Sequence, residues 1–316
     1  MKPIGGYIEL QLPVGEEYYP SLIKLNTGRN SLEYILLVKG YRTIYLPYFT
    51  CDVLLEPIKH LGIKLKYYHI DSNLDPIIDF ELGPTDCIVY TNYFGLKQDT
   101  VNRLSTYIDN LIIDNSQAFF SEPLPHVDTF YSCRKFFGVP DGAYLHLNTY
   151  TRLNVQSDVS IERFSHLIKS IDLSIEDGYT DYIENNKALE SNSIRSMSSL
   201  TRKILSGINY EECKAKRNAN FKFLHSFLEE SNQLKFPGLE INGPMTYPFL
   251  VADASIKEKL IERKIFVPTF WPNVFHWASK GMFEYYLANN LVSLPIDHRY
   301  NLDDMTRILN NLTQLI

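Results

Sequence analysis

The stretch CIVYTNYFGLKQDTVNRLSTYIDNLIID, residues 87–114, decides the fold class. Residues 87–91 form a continuous apolar run of strand length, residues 99–108 have a helical pattern, and residues 111–113 form a second short apolar run. Two buried strands joined by a helix form a βαβ unit, in which the strands are parallel. The stretch therefore predicts an α/β protein with a mostly parallel sheet.

The same alternation of strands and helices extends over the first half of the chain. The further predicted strands are at residues 43–47, 64–70, 128–132 and 143–147, and a further helix is at 52–61. Strands that alternate with helices predict a three-layer α/β/α domain, with helices on both faces of the sheet.

The second half has a different pattern, with longer helices and fewer strands. Helices are predicted at residues 161–173, 198–205, 210–230, 255–263 and 303–315, and short strands at 247–251, 265–267 and 291–294. This order is typical of a smaller α+β domain. We therefore predict a large domain over residues 1–200 and a small C-terminal domain over residues 201–316.

Composition and charge exclude several classes of function. The chain has 316 residues, with 31 Lys and Arg against 37 Asp and Glu, which gives a formal net charge of −6. No basic stretch is present, so nucleic acid is not expected as a partner. No apolar run is long enough for a membrane span, and the opening MKPIGGYIEL lacks the apolar core of a signal peptide. We therefore expect no membrane association and a cytoplasmic location.

The cysteines and glycines show none of the common site motifs. Cys51, Cys87, Cys133 and Cys213 form no CxxC pair, and the histidines have no metal-ligand spacing, so free thiols and no metal site are expected. GxGxxG, GxxxxGK and GxSxG are also missing, which excludes the usual nucleotide-binding and hydrolase motifs.

Polar residues just past the predicted strands are the candidates for a site, because ligands in open α/β sheets bind at the carboxyl ends of the strands. Asp114 directly follows the buried run 111–113 and can hold a cationic ring nitrogen, or it can simply cap the next helix. Gln117 lies three residues further on, either near the same site or as a surface amide.

Two further segments carry groups that suit a phosphorylated aldehyde. Thr27, Gly28 and Arg29 open the first strong helix, where free N–H groups form an anion site or are capped without a ligand. Lys135 follows the strand at 128–132 and can form a Schiff base, or it can be an ordinary surface lysine. Ser132, three residues earlier, can reach a phosphate.

The order of these segments resembles the DegT/StrS-type sugar aminotransferases, a family of fold-type I pyridoxal-phosphate enzymes. The similar segments are residues 25–36, LPYFTC at 46–51, YFG at 93–95, IDNSQA at 113–118, FYSCRK at 130–135 with DGA at 141–143, and SLPID at 293–297. Six short segments in the family's order rarely arise by accident.

The resemblance implies a role for each matched residue. Lys135 would form the Schiff base with pyridoxal 5'-phosphate and move a proton on the substrate's carbon, and Asp114 would pair with the protonated pyridine nitrogen. Gln117 would contact the side of the ring that carries the phenolic oxygen. The phosphate would be bound by Thr27, Gly28, Arg29 and Ser132. Phe49, or its neighbour Tyr48, would stack on the ring, and Asn92 or Tyr93 would line the same face.

Two residues of the C-terminal part are candidates for substrate contacts. Trp271 can stack on a sugar or a base, or it can be a core tryptophan. Arg299 can bind a carboxylate or phosphate, or it can form a structural salt bridge with Asp297.

The resemblance implies an aminotransferase that uses an amino-acid donor such as glutamate to aminate a keto-sugar of the nucleotide-linked kind. It also implies a homodimer with the active site at the subunit interface. Two alternatives stay open: another reaction on the same cofactor, such as dehydration or elimination, and a catalytically degenerate protein that binds a ligand without turnover.

Some features depart from the family. The chain is shorter than typical members, Ala143 stands where a second glycine is usual, and the spacing from Ser132 to Lys135 is short. The asparagine that the partner subunit usually supplies has no clear match, and Asn192, Arg195 and Asn218 are all candidates.

Overall fold

The computed structural model describes residues 4–236, 238 and 240–316, so the first three residues of the predicted large domain lie outside the described residues. The strands are β1 (Ile23–Leu25), β2 (Thr43–Pro47), β3 (Lys64–Ile70), β4 (Pro76–Ile77), β5 (Asp86–Thr91), β6 (Leu111–Asp114), β7 (Asp128–Ser132), β8 (Ala143–His146), β9 (Thr246–Leu250) and β10 (Leu291–Pro295). The helices are α1 (Gly28–Lys39), α2 (Leu55–His60), α3 (Gln98–Leu104), α4 (Ser165–Asp172), α5 (Ile175–Ala188), α6 (Ser199–Ser206), α7 (Tyr210–Leu228), α8 (Ile256–Glu262), α9 (Val274–Trp277), α10 (Phe283–Asn290) and α11 (Leu302–Thr313).

An eight-stranded sheet forms the centre of the molecule, in the order β1-β8-β7-β6-β5-β2-β3-β4. The five strands from β7 to β3 are parallel, and β8 and β4 run antiparallel to their neighbours. The mostly parallel α/β sheet predicted from the sequence is therefore confirmed. The carboxyl ends of β2, β5, β6 and β7 meet at one edge, where ligands bind in such sheets.

Both faces of the central strands are buried, which explains their continuous apolar runs. On one face, Val89 and Ile112 pack with Ile35 of α1. On the other face, Tyr90 and Ile113 pack in a second cluster, to which the C-terminal half of the chain contributes.

A small antiparallel sheet of β9 and β10 organises the C-terminal part. Phe249 of β9 and Val292 of β10 pack with Phe221 of α7 and Met305 of α11. The strand predicted at residues 265–267 is wrong. The backbone N–H of Ile265 donates to the carbonyl of Leu260 at the end of α8, so this segment closes a helix and joins no sheet.

Helix α5 is the main element that the sequence patterns missed, whereas α4, on which it packs, lies within the helix predicted at residues 161–173. Helix α5 contains Gly178 and few apolar residues, so its periodicity is weak. Gly178 is needed for packing, because a Cβ there would lie 2.8 Å from the carbonyl oxygen of His166 on α4. Within the described residues, no helix is both long and apolar enough to cross a membrane.

Gly142, directly before β8, allows the backbone there to pack closely against the end of β7. Its φ of +119° lies in a region that side chains rarely adopt, and a Cβ there would lie 2.9 Å from Cγ2 of Thr201 and 3.3 Å from Cβ of Cys133. Its carbonyl accepts the N–H of Cys133 at 3.0 Å. Gly142 thus ties the segment that carries Lys135 to the sheet.

We predict that Gly142→Ala lowers the free energy of unfolding by about 2 kcal/mol, from backbone strain and the contact with Thr201. Urea unfolding followed by circular dichroism measures this. The control is Gly281→Ala, where a Cβ meets open space; we expect it to change stability by less than about 0.5 kcal/mol. Equal stability of the two variants would contradict this role of Gly142.

Candidate functional site

Lys135 lies in a short 3₁₀ turn, Cys133–Lys135, that directly follows β7. Cys133 is fully buried, and its carbonyl accepts the N–H groups of Phe136 and Phe137 at 3.0 and 2.9 Å. Lys135 itself is exposed. The turn is therefore anchored by Cys133 and presents the lysine ammonium to the carboxyl edge of the sheet.

Asp114 is the last residue of β6 and is only 7% exposed. Its Oδ1 accepts the N–H of Ser116 at 2.8 Å. Burial raises the pKa of Asp114, while the hydrogen bonds from Ser116 and the charge of Lys135 lower it. Among the described residues, no Lys, Arg or His nitrogen lies within 4 Å of the carboxylate. A buried carboxylate without a paired cation is costly, so this position favours a cationic ligand.

The electrostatic surroundings of Cys51 indicate that Lys135 and Asp114 lie in the same region. Burial raises the pKa of the Cys51 thiol, the charge of Lys135 lowers it, and the charge of Asp114 raises it further. The thiol thus lies within electrostatic reach of both groups. The sequence analysis did not select Cys51, although it ends the motif at residues 46–51.

The N-terminus of α1 lies beside Asp114. Thr27 caps the helix, and its Oγ1 accepts the N–H of Asn30 at 3.2 Å. Within the described residues, no acceptor lies within hydrogen-bonding distance of the N–H groups of Gly28 and Arg29. A Cβ on Gly28 would lie 3.6 Å from Oγ of Ser116, which places this helix end against the Asp114 loop. Free N–H groups at a helix N-terminus suit an anion.

The resemblance implied that Arg29 binds the phosphate, but in the structure its side chain is paired with a residue of the chain. Its guanidinium forms an ion pair with Glu56. The other carboxylate oxygen of Glu56 accepts the N–H of Ser191 at 2.6 Å. Arg29 can therefore still offer its backbone N–H to an anion, while its side chain ties α1 to the segment after α5.

Ser132 ends β7 next to the Lys135 turn and is partly exposed. In the part of the chain that the structure describes, its hydroxyl has no hydrogen-bond partner, so it is free to donate to a ligand. Its position between the sheet and Lys135 agrees with the predicted contact to phosphate, which stays a prediction.

Gln117 and Asn92 hold the loop after β5. Oε1 of Gln117 accepts the N–H of Phe94 at 2.8 Å, and Phe94 has a positive φ of 59°. Oδ1 of Asn92 accepts the N–H of Lys97 at 3.0 Å. Both side chains are buried and are already engaged within the protein. Their predicted contacts to the cofactor ring stay predictions. In the structure, both side chains accept backbone N–H groups and so stabilise this loop.

Phe49 and Trp271 pack against each other, with ring centroids 5.0 Å apart in an edge-to-face arrangement. Phe49 is fully buried and Trp271 is 8% exposed. The Tyr93 hydroxyl donates to the carbonyl of Phe49 at 2.8 Å. This packing supports the core alternative for Trp271, and the stacking roles of both rings stay predictions.

A cavity of about 590 Å³ opens beside Lys135, which is one of its lining residues. We call it the basic cavity. The residues that line it come from the Lys135 turn, the α4–α5 hairpin and the C-terminal part of the chain: Arg134, Lys135, Phe136, Phe137, Gly138, Val139, His166, Leu167, Ser170, Ile175, Gly178, Tyr179, Tyr182, Arg217, Met245, Asp297, His298 and Arg299. The structure therefore brings Arg299 and Lys135 to one cavity, together with Arg134 and Arg217, which the sequence analysis did not select.

Arg299 forms the salt bridge that was its structural alternative. Its Nε and Nη2 donate to the two carboxylate oxygens of Asp297 at 2.7 and 2.9 Å. The pair raises the pKa of Arg299, with this hydrogen bond as the largest cause. The ion pair does not exclude a substrate contact, because the Arg299 side chain is more than half exposed.

No model of a known protein family matches the sequence, and no curated protein matches it. Solved structures do match. A DegT/DnrJ/EryC1/StrS aminotransferase from Brucella abortus has a TM-score of 0.63 at 13% identity, over 93% of this chain and 85% of the other. The chain has the fold of the DegT/StrS-type aminotransferases.

Two other structures with this fold carry bound molecules. NtdA from Bacillus subtilis, with bound cofactor PMP, has a TM-score of 0.65 at 14% identity and is matched over 93% of this chain and 72% of its own. A variant of GDP-4-keto-6-deoxymannose-3-dehydratase with bound GDP-perosamine has a TM-score of 0.61 at 12% identity, over 92% and 87%. At these identities the similarity establishes the fold, and the residues of the site must support the function.

We predict that Asp114→Asn leaves the cofactor-free protein at least as stable as the wild type at pH 7.5. Burial raises the pKa of Asp114 in the folded state, so its ionised form costs stability above that pKa. Asn removes the charge and keeps an oxygen for the N–H of Ser116. The difference should disappear as the pH falls through the raised pKa toward the unfolded value of about 3.9.

Urea unfolding at pH 7.5 and at stepwise lower pH measures this effect. Asp109→Asn is the control, because Asp109 is exposed. A wild-type protein that is clearly more stable than Asp114→Asn at pH 7.5 would show that the chain itself supplies a cation for Asp114.

Proposed function

We propose that this protein is a pyridoxal-phosphate-dependent aminotransferase that moves an amino group from an amino-acid donor, such as glutamate, to a nucleotide-linked keto-sugar. The observation that carries the proposal is the buried carboxylate of Asp114, which has no cation within 4 Å among the residues that the structure describes and lies within electrostatic reach of Lys135. We propose further that the protein acts as a homodimer in the cytoplasm.

The residues present fit pyridoxal phosphate. Asp114 offers a buried carboxylate to a protonated ring nitrogen, Lys135 offers an amine to the aldehyde, and the α1 N-terminus offers two free N–H groups to the phosphate. The hydroxyl of Ser132 is a further free donor. The bound PMP of NtdA, a protein of the same fold, supports this choice of cofactor. When bound, the cofactor supplies an electron sink for the bond that breaks at the substrate carbon.

The chain's own residues would perform the remaining steps. Asp114 keeps the proton on the ring nitrogen, because a buried carboxylate is stabilised by a positive neighbour. Lys135 would take the proton from the substrate carbon as a general base and would deliver it, as a general acid, to the carbon of the former aldehyde, because return to the substrate carbon would give no amino transfer. Its place in an anchored turn limits the distance over which the ammonium moves.

A second candidate is dehydration of a keto-sugar, which the similarity to GDP-4-keto-6-deoxymannose-3-dehydratase supports. The same cofactor can drive both reactions. The presence of Lys135 favours amino transfer, since the resemblance implies that the family's dehydratases replace this lysine. A protein that binds a ligand without turnover is the third alternative.

We predict that borohydride traps a pyridoxyl group on Lys135 after the protein is incubated with pyridoxal phosphate. Peptide mapping by mass spectrometry locates the modified residue. Lys135→Ala should lose the visible or near-ultraviolet absorbance band and the trapped group. Lys280→Ala, which changes an exposed lysine, should keep both. A folded wild-type protein with no trapped group would refute the cofactor assignment.

We predict that glutamate releases one 2-oxoglutarate per active site when no sugar is present, because the donor half of the reaction needs no acceptor. A coupled dehydrogenase assay measures the product in a single turnover, and Lys135→Ala should release none. If the cofactor is trapped on the protein but none of the amino acids tested is converted to its 2-oxoacid, the result favours the dehydratase or the binding protein over the aminotransferase.

A further inference from the structure

A second buried carboxylate, outside the proposed reacting centre, lies just before β8. Asp141 is fully buried, and its Oδ2 accepts a hydrogen bond from the N–H of Ser198 at 2.8 Å. Its Oδ1 accepts the Ser198 hydroxyl at 2.7 Å and also the hydroxyl of Thr201. Ser198 caps the N-terminus of α6, and Thr201 lies in the first turn of that helix. The Asp141 side chain therefore ties the residue before Gly142 to the start of α6.

Neutral donors compensate the charge of Asp141. In the part of the chain that the structure describes, no Lys, Arg or His nitrogen lies within 4 Å of its carboxylate. Burial raises the pKa of Asp141 and Asp158 raises it further, while the hydrogen bonds from Thr201 and Ser198 lower it. A buried charge without a cation adds little to stability. It does fix a geometry, because three donors converge on one carboxylate.

The backbone beside Asp141 joins the two parts of the proposed cofactor site. The carbonyl of Gly142 accepts the N–H of Cys133, the first residue of the Lys135 turn, at 3.0 Å. The N–H of Gly142 donates to the carbonyl of Asn26 at 2.6 Å, and Asn26 lies two residues before the first residue of α1. One glycine thus contacts both the turn that carries the lysine and the segment that enters α1.

The segment between α5 and α6 closes these contacts into a ring. Asn26 is fully buried, and its N–H donates to the carbonyl of Arg195 at 2.9 Å. Three residues further along the same segment, Ser198 donates to Asp141. Hydrogen bonds therefore connect Asn26 with Asp141 by two routes, one through Gly142 and one through residues 195–198. A displacement of Asp141 disturbs both routes.

We propose that Asp141 is a positioning residue, which holds Lys135 and the N-terminus of α1 at the separation that one molecule of pyridoxal phosphate spans. The inference rests on the proposed function, which assigns the aldehyde to Lys135 and the phosphate to α1. Asp141 acts through Gly142 and touches neither end of the cofactor. A ligand bound at two points gains affinity from the second point only when the distance between the points matches the ligand. The ring of hydrogen bonds through Asp141 and Asn26 supplies that constraint.

The test compares the affinities of the whole protein for two ligands. Pyridoxal phosphate is held at both points, because its aldehyde bonds to Lys135. Pyridoxamine phosphate has an amine in place of the aldehyde, so its phosphate and ring alone hold it. Absorbance titration measures the first affinity and isothermal titration the second. Their ratio reports how well Lys135 is aligned, and a loss of folding stability alone leaves the ratio unchanged.

We expect Asp141→Ala to lower this ratio at least about tenfold, because small displacements of a reacting group have effects of this size or larger. Asp141→Asn should lower the ratio less, since its amide keeps an oxygen for the two hydroxyls. Should Asp141→Ala fail to fold, Asp141→Asn carries the test, again with a ratio below that of the wild type.

Asn232→Ala is the control for a merely structural role. Asn232 is also buried and makes three hydrogen bonds, to the carbonyl of Pro248 at 2.8 Å and from the N–H groups of Leu234 and Leu250 at 3.1 and 2.9 Å. These bonds link residues of the C-terminal part and involve neither Lys135 nor α1. We expect Asn232→Ala to lower the free energy of unfolding and to keep the wild-type ratio of affinities.

A ratio in Asp141→Ala and Asp141→Asn that equals the wild-type ratio overturns the proposal and leaves Asp141 a structural residue. A loss of pyridoxamine phosphate affinity that is as large as the loss for pyridoxal phosphate has the same meaning. Failure of the proposed function gives a different result: borohydride then traps no pyridoxyl group on Lys135 even in the wild-type protein.

Discussion

The carboxylate of Asp114 is the constraint on which the site depends. It lies at the end of a central strand, is almost fully buried, and has no cation within 4 Å among the described residues. Charge in such a position is stable only when a cation or strong donors compensate it. Ser116 supplies the donor, and the position of Lys135 supplies a nearby positive charge. The remaining requirement is met by a ligand with a protonated ring nitrogen.

The parallel sheet brings the other components to the same edge. Because β6 and β7 are parallel neighbours, Asp114 and Ser132 both lie at their carboxyl ends, and Lys135 follows in an anchored turn. Gly142 fixes that turn from β8. Lys135 lines the basic cavity and also lies within electrostatic reach of the Asp114 carboxylate.

Much of the eight-stranded sheet could be predicted from the sequence, because its central strands are buried on both faces and appear in the sequence as apolar runs. The apolar run at residues 111–113 predicted strand β6, and Asp114, directly after that run, was selected as the candidate carboxylate. The signals were weaker where tertiary contacts decide the structure. Helix α5 was missed because Gly178 and its polar residues obscure the period, while close packing on α4 stabilises it.

The basic cavity could not be predicted because its residues are distant in the sequence. Arg134, Arg217 and Arg299 come from three separate elements, which only the folded chain brings to one cavity. Phe49 was selected from its motif, and the structure adds its edge-to-face contact with Trp271, which the motif did not indicate. Short motifs located the elements of the site, and they did not determine where each side chain points.

The most direct test of the central claim is the ¹⁵N NMR signal of pyridoxal phosphate labelled at the ring nitrogen and bound to the protein. The account predicts a protonated nitrogen in the wild type at pH 7.5 and an unprotonated nitrogen in Asp114→Asn. The same protonation state in both proteins would show that Asp114 does not pair with the ring, and it would contradict the account.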